Sequence, residues 1–226
     1  MNVTRMVAEL ERSLAAVGDD KAAASMNAYM RHQFDHYGVR SAARRAAQKP
    51  TLERSTSCTE AELIDFVNQC WAKPYREFQH AAVDVLRKNQ QTLTPVSVPA
   101  ITGWITTKSW WDTVDFLSPH IIGSLVGRHE HLVEQMDAWI DDDNIWLTRT
   151  AILHQLLYKE ATNADRLFMY CDRRGGDDEF FIRKALGWAL RQYARVDPEA
   201  VKAYVAKNEA TLSGLTVREA LKHLKQ

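Results

Sequence analysis

A repeat of 34 residues is the sequence feature that most limits the folds open to this chain. The same interval separates four positions in register, which hold Ala81, Asp115, Arg149 and Arg183. Self-similarity at this period is typical of TPR and HEAT arrays, in which a helix pair buries its apolar stripe only by stacking on its neighbours. The repeat therefore predicts an all-α fold, an α-solenoid of HEAT-like helical repeats in which the second helix of each pair lines one concave face.

Apolar residues at helical spacing support this prediction near the start of the chain. One stripe recurs at intervals of three and four residues and consists of Val3, Met6, Val7, Leu10 and Leu14. Farther along, Thr59 is followed three residues later by Glu62, a spacing that predicts a helix N-terminus closed by a capping box. No segment shows the alternation of a β-strand. We expect a single domain over residues 1–226.

Composition excludes several classes of protein. Lys and Arg total 29, as do Asp and Glu, so any attraction for a polyanion must come from how the charges are arranged. The cysteines, Cys58, Cys70 and Cys171, form no CxxC pair or disulfide framework, which predicts a cytoplasmic protein. No apolar run is long enough to span a membrane. The histidines lack metal-ligand spacing and no phosphate-binding glycine loop occurs, so we expect neither metal nor cofactor.

The repeat also brings charged and aromatic residues to the common face. Asp115, Arg149 and Arg183 are predicted to lie side by side, and Trp111 lies one helical turn before Asp115. Other residues that could contact a polyanion are Arg40, Arg44, Arg45, Lys108, Trp188 and Arg191. A groove with arginines at intervals and aromatics between them suits a phosphate backbone.

The same residues have a purely structural interpretation. Tryptophans on helices usually lie in the core, and a partly buried Asp115–Arg149 ion pair would satisfy both groups without any catalytic role. Arginines dispersed over helices usually form solvated surfaces. From the repeat and the charges alone, a protein-interaction solenoid is favoured over an enzyme that acts on nucleic acid.

Four longer strings of sequence resemble one family. YMRHQF…YGVRS at 29–41, KSWWDTVDFL at 108–117, IWLTRTAILHQL at 145–156 and FFIRKALGWALRQYAR at 180–195 are similar, in order and spacing, to the AlkD-type DNA alkylation-repair glycosylases. The resemblance implies an all-helical array of HEAT-like repeats that excises cationic N3- and N7-alkylpurines from duplex DNA without flipping the base. We expect a monomer in the bacterial cytosol or nucleoid.

The resemblance implies roles for particular side chains as well. The family's catalytic trio and its DNA-contacting aromatics fall on Trp111, Asp115 and Arg149, and on Tyr29 and Trp188. One departure is Ala42, which stands where many relatives have proline after the GVRS-like turn. That change leaves all three catalytic positions intact.

The implied chemistry suits these residue types. A cationic purine leaves as a neutral base, so no general acid is needed, and positive charge develops on the sugar as in other glycoside hydrolysis. Asp115 is expected to stabilise that oxocarbenium-like sugar and to hold the attacking water. Trp111 would offer its π face, and Arg149 would orient Asp115 and grip a phosphate. The alternative is a non-catalytic HEAT-like solenoid that binds damaged DNA or a protein partner.

Overall fold

A computed structural model describes residues 1–224 of the chain, which form two compact units that meet at residues 100 and 101. Unit 1 contains the helices α1 Val3–Ala15, α2 Asp20–Tyr29, α3 Ser41–Ala47, α4 Lys49–Ser55, α5 Glu60–Ala72 and α6 Arg76–Lys88. Helix α7, Val98–Thr106, spans the boundary. Over the described residues there is no β-strand, and one isolated bridge joins Asp35 and Tyr75. The prediction of a single domain over residues 1–226 stays a prediction.

Unit 2 contains the other α-helices of the described residues. They are α8 Trp111–Phe116, α9 Gly123–Arg128, α10 Val133–Trp139, α11 Ile145–Leu153, α12 Ala164–Arg174, α13 Phe180–Tyr193, α14 Pro198–Lys207 and α15 Gly214–Ala220. A π-helical segment, Leu117–Ile122, separates α8 from α9. The all-α fold predicted from the sequence is confirmed.

The apolar stripe and the capping box predicted from the sequence are both present in unit 1. The stripe from Val3 to Leu14 is buried along its length. Thr59 and Glu62 form the capping box at the start of α5, with the Thr59 N–H donating to the Glu62 carboxylate at 2.9 Å. Helix α2 ends at Tyr29, because Arg31 and His32 take left-handed conformations with φ of 53° and 56°.

Hydrogen bonds between neighbouring repeats show the period directly. Within unit 2, side chains bond to partners 32 to 35 residues away in the pairs Ser118–Thr150, Asp115–Arg149, Asp137–Tyr170, Arg183–Thr216 and Lys184–Glu219. Unit 1 has the same spacing of 34 residues in Ser55–Asn89. Equivalent positions of successive repeats therefore pack side by side, as a HEAT-like helical-repeat fold requires.

A buried carboxylate fixes the glycine turn of unit 1. Glu77 is fully buried and accepts the backbone N–H groups of Tyr37, Gly38 and Val39 at 3.1, 3.0 and 3.0 Å. Gly38 has φ of 82°, a conformation that favours glycine, and a Cβ there would lie 2.0 Å from the Asp19 carbonyl oxygen. The Glu77 side chain thus fixes the conformation of the turn that leads into α3.

The structure also places the cysteines and the acidic runs of the chain. The three cysteines are free and buried. No helix of the described residues is long and apolar enough to cross a membrane. The acidic runs at 141–143 and 177–179 lie in connections between helices.

Candidate active site

The candidate site is built around an ion pair between α8 and α11. The Arg149 guanidinium donates from Nε to Asp115 Oδ1 at 2.7 Å and from Nη2 to Asp115 Oδ2 at 2.9 Å. Its third nitrogen, Nη1, donates to the backbone carbonyl of Phe181 at the start of α13. The Arg149 side chain is 3% exposed and that of Asp115 is 16% exposed. All three nitrogens of the arginine are occupied, whereas the carboxylate retains acceptor capacity, because it can take about four hydrogen bonds.

The local backbone explains why Asp115 and Trp111 share one side of a short helix. Helix α8 begins at Trp111, four residues before Asp115, so the two side chains lie one turn apart. Pro119 follows Asp115 by four residues and has no N–H to donate to the Asp115 carbonyl, as a continuing α-helix would require. The chain passes into the π-helical segment there, and such segments often accompany functional sites.

Two buried hydroxyl groups tie the helices together just beyond the ion pair. Ser118 Oγ donates to Thr150 Oγ1 at 3.0 Å and is also within 2.7 Å of the Val114 carbonyl. Thr150 Oγ1 in turn lies 2.8 Å from the Trp146 carbonyl. Because both hydroxyls are fully buried, these bonds set how α11 lies against the segment that follows Asp115. Sequence spacing alone did not indicate this pair.

An aromatic cluster encloses the buried arginine. The ring of Phe181 lies 4.9 Å from that of Trp146 and 5.2 Å from that of Trp110, centroid to centroid. The Arg149 Cζ lies 5.9 Å from the Phe181 ring centre. Trp110, which precedes α8 in an extended conformation, belongs to this cluster. The adjacent tryptophans therefore differ. Trp110 packs against Trp146 and Phe181, and Trp111 is the first residue of the helix that carries Asp115.

Helix α13 carries a second group of predicted site residues. Trp188 lies between Lys184 and Arg191 on one helix face, and both cations donate to Glu219 of α15, Lys184 at 2.6 Å. The hydrogen bond from Lys184, together with that from Arg191, lowers the pKa of Glu219 despite its burial. Gly187 allows this close packing, since a Cβ there would lie 2.5 Å from Glu219 Cβ. Arg191 is thus already engaged in an ion pair within the protein.

Comparison with known proteins covers most of the chain. The family model described as DNA alkylation repair enzyme matches residues 10–224. The chain belongs to the DNA alkylation repair enzyme family. Among solved structures, a predicted DNA alkylation repair enzyme from Enterococcus faecalis is 33% identical, with a TM-score of 0.85 over 92% of this chain and 97% of that one. AlkD2 from Streptococcus mutans is 15% identical, with a TM-score of 0.61 over 77% of this chain and 89% of that chain, and shows the shared fold. A search of curated proteins found no match.

In this family member, the candidate DNA contacts of unit 1 differ in their availability. Tyr29, at the end of α2, is 72% exposed. Arg40, the N-cap of α3, and Arg45, in the last turn of that helix, are also exposed. Arg44 instead donates to Asp84 at 2.6 Å and is mostly buried. The first three are exposed at the surface, and Arg44 holds α3 against α6.

Lys108 takes an unusual conformation just before the two tryptophans. Its φ is 51°, in the left-handed region, and it lies in the connection between α7 and α8. Such a conformation costs a non-glycine residue on the order of 1 kcal/mol and is seen most often at functional sites. No cluster of histidine, cysteine or acidic residues that could hold a metal ion occurs within residues 1–224.

Proposed function

We propose that this DNA alkylation repair enzyme is a monofunctional DNA glycosylase, which hydrolyses the N-glycosidic bond of cationic N3- and N7-alkylpurines in duplex DNA. The observation that carries the proposal is the Asp115 carboxylate, held at both oxygens by Arg149 one turn from Trp111. Family membership supports a role in alkylation repair, and the ion pair supplies the group that this reaction needs.

Asp115 acts on the sugar in this proposal. As the glycosidic bond breaks, the electron pair stays with the alkylated base, which leaves neutral, and the deoxyribose becomes oxocarbenium-like. A fixed carboxylate stabilises that developing cation without having to reorganise. The free lone pairs of Asp115 can also accept a hydrogen bond from the water that attacks C1′. Water supplies the hydroxyl group of the product sugar and releases one proton.

Arg149 positions the carboxylate. Its guanidinium is buried and bound to Asp115 and to the Phe181 carbonyl, so the geometry favours the orienting part of its expected role over a direct grip on phosphate. Two parallel hydrogen bonds fix both the plane and the direction of the carboxylate. Trp111 offers a π face to the cationic sugar or base, worth about 0.5–2 kcal/mol depending on desolvation.

Asp115, Arg149 and Trp111 include no proton donor suited to a leaving base that carries no positive charge. We therefore propose that uncharged lesions are poor substrates and that the protein acts on the sugar and backbone side of the nucleotide, without flipping the base. Tyr29, Arg40, Arg45, Lys108 and Trp188 are the proposed DNA contacts. The protein would work as a monomer in the cytoplasm, with alkylated duplex DNA as its partner and no metal or cofactor.

Base release from methylated duplex DNA tests the proposal. Duplex containing 7-methylguanine is incubated with excess enzyme, and the free base is quantified by mass spectrometry. Wild type should release it, and Asp115→Asn should slow release by on the order of 10²–10³-fold, the loss typical when one preorganised electrostatic group is removed. Release at an unchanged rate by Asp115→Asn, or none by the wild type, would contradict it and favour a non-catalytic solenoid.

A further inference from the structure

One arginine of unit 2 lacks the carboxylate that its counterparts have. The other arginines of this unit that are buried or half-buried are each paired with an acid, in Asp115–Arg149, Asp137–Arg166, Asp177–Arg174 and Glu219–Arg191. Arg183, in the first turn of α13, is half-buried and forms no ion pair with any residue between 1 and 224. Its Nε is buried without a hydrogen-bond partner.

The repeat explains the missing partner. Arg149 finds its carboxylate 34 residues earlier, at Asp115. The residue 34 positions before Arg183 is Arg149 itself, a cation whose three nitrogens are already bound. Because α11 and α13 are in contact through the Arg149–Phe181 bond, Arg183 lies about one helix spacing, roughly 8–10 Å, farther along the stack. The row of charged positions therefore ends in an arginine with no acid opposite it.

Nearby acids are engaged elsewhere. Glu219 binds Lys184, the residue after Arg183, and Arg191. Glu179, four residues before Arg183 and well placed for a helical ion pair, accepts the Phe181 N–H at 3.2 Å as the N-cap of α13. Arg183 is only half-buried and its charge has no carboxylate partner among residues 1–224, so this position favours an anion from outside the protein.

We propose that Arg183 binds a phosphodiester group of the DNA strand whose damaged sugar lies at Asp115, and that it, rather than Arg149 or Arg191, provides the main phosphate contact of unit 2. The inference rests on the proposed function, since it takes duplex DNA as the ligand. The forked donors of a guanidinium match two phosphate oxygens, and a phosphate would supply the counter-charge that Arg183 lacks. Arg149 is then free to serve Asp115 alone.

The salt dependence of DNA binding measures phosphate contacts directly. Affinity for a fluorescently labelled, undamaged duplex is followed by anisotropy over a series of NaCl concentrations, and log K is plotted against log [NaCl]. Each phosphate contact contributes a slope of about −0.9. Arg183→Gln should therefore reduce the steepness of the slope by about 0.9. Arg191→Gln is the matched control, on the same helix but already paired with Glu219, and should reduce the steepness by less than half as much.

Thermal unfolding separates a binding role from a structural one. Arg183→Gln removes an unsatisfied donor, so its melting temperature should equal or exceed that of the wild type. An unchanged slope for Arg183→Gln, or an equal loss for Arg191→Gln, would overturn the assignment. The base-release assay on the same proteins keeps the two proposals apart. A wild type that releases base while Arg183→Gln binds normally defeats only this inference. Salt-dependent binding without base release defeats the glycosylase proposal, and the slopes still decide the role of Arg183.

Discussion

Two bidentate aspartate–arginine pairs of unit 2 look alike but are completed differently. The pair between α10 and α12 joins Arg166 to Asp137 at 3.0 and 3.2 Å, and the pair between α8 and α11 joins Arg149 to Asp115 at 2.7 and 2.9 Å. At Asp137 a third donor, the Tyr170 hydroxyl, adds a hydrogen bond of 2.6 Å to the carboxylate. At Asp115 the additional bond belongs to the arginine, which reaches the Phe181 carbonyl.

The difference separates a structural pair from a candidate catalytic one. Exposure does not distinguish them in the expected direction, since the Asp137 side chain is 34% exposed and that of Asp115 is 16% exposed. The partners do. Three protein donors hold the Asp137 carboxylate, whereas Arg149 alone holds that of Asp115 and is itself anchored. An anchored cation with a carboxylate left partly open is the arrangement that a group acting on substrate needs.

The sharpest test of this comparison exchanges one carboxylate at a time. Asp115→Asn should lose base release by on the order of 10²–10³-fold, as stated above, whereas Asp137→Asn should stay within a few-fold of the wild type. Both variants break a bidentate pair, so a general loss of folding would affect them together. Single-turnover release of 7-methylguanine measures the two rates. Equal losses would mean that both pairs are merely structural.

The second test compares the two arginines through stability. Arg149→Gln leaves a mostly buried carboxylate unpaired and should lower the free energy of unfolding by about 3 kcal/mol. Arg166→Gln breaks a pair of which both members are more exposed, at 23% and 34%, and should cost about 1 kcal/mol. Urea unfolding followed by circular dichroism gives both values. A larger loss for Arg166→Gln would show that burial does not rank these pairs.

The sequence indicated this comparison only in part. The Asp115–Arg149 pairing was recognisable, because residues 34 positions apart become neighbours when repeats of that length stack, and the i, i+4 spacing put Trp111 beside Asp115. The hydrogen bond from Arg149 to the Phe181 carbonyl was not recognisable, because every residue has a backbone carbonyl and the sequence does not distinguish one from another. Nothing in the 34-residue register singles out Phe181 either.

Two other features depended on packing that spacing does not record. The proline at 119 indicates a break in the helix, but its spacing does not show that the break becomes a π-helical segment in contact with α11. Glu219 was missed because it bonds to residues 35 and 28 positions earlier, Lys184 and Arg191, and so lies only partly in register. Arg191 accordingly looked like a free cation in the sequence and is a paired one in the structure.

A third test extends the comparison to a carboxylate that is saturated by two cations. Glu219→Gln should release Lys184 and Arg191 beside Trp188, and up to two further phosphate contacts would steepen the salt slope of DNA binding by as much as about 1.8. Glu199→Gln breaks an exposed pair with Lys202 on α14 and serves as the control, with no change expected. Anisotropy titrations at several NaCl concentrations decide between them. An unaltered slope for Glu219→Gln would place both cations away from DNA.

The smallest effect concerns pH. Burial acts to raise the pKa of Asp137, but the hydrogen bonds from Arg166 and Tyr170 outweigh it and hold the pKa below its ordinary value. A carboxyl whose pKa is lower in the folded state contributes stability above its unfolded pKa, about 3.9, and loses it as pH falls through the folded value. The free energy of unfolding should therefore differ between wild type and Asp137→Asn by less than about 1 kcal/mol at pH 7, and the difference should shrink below pH 4. Urea titrations from pH 7 to pH 2.5 measure it. A difference that grows on acidification would reverse the sign, and would mean that the tyrosine hydroxyl and the arginine do not favour the ionised form of this carboxyl.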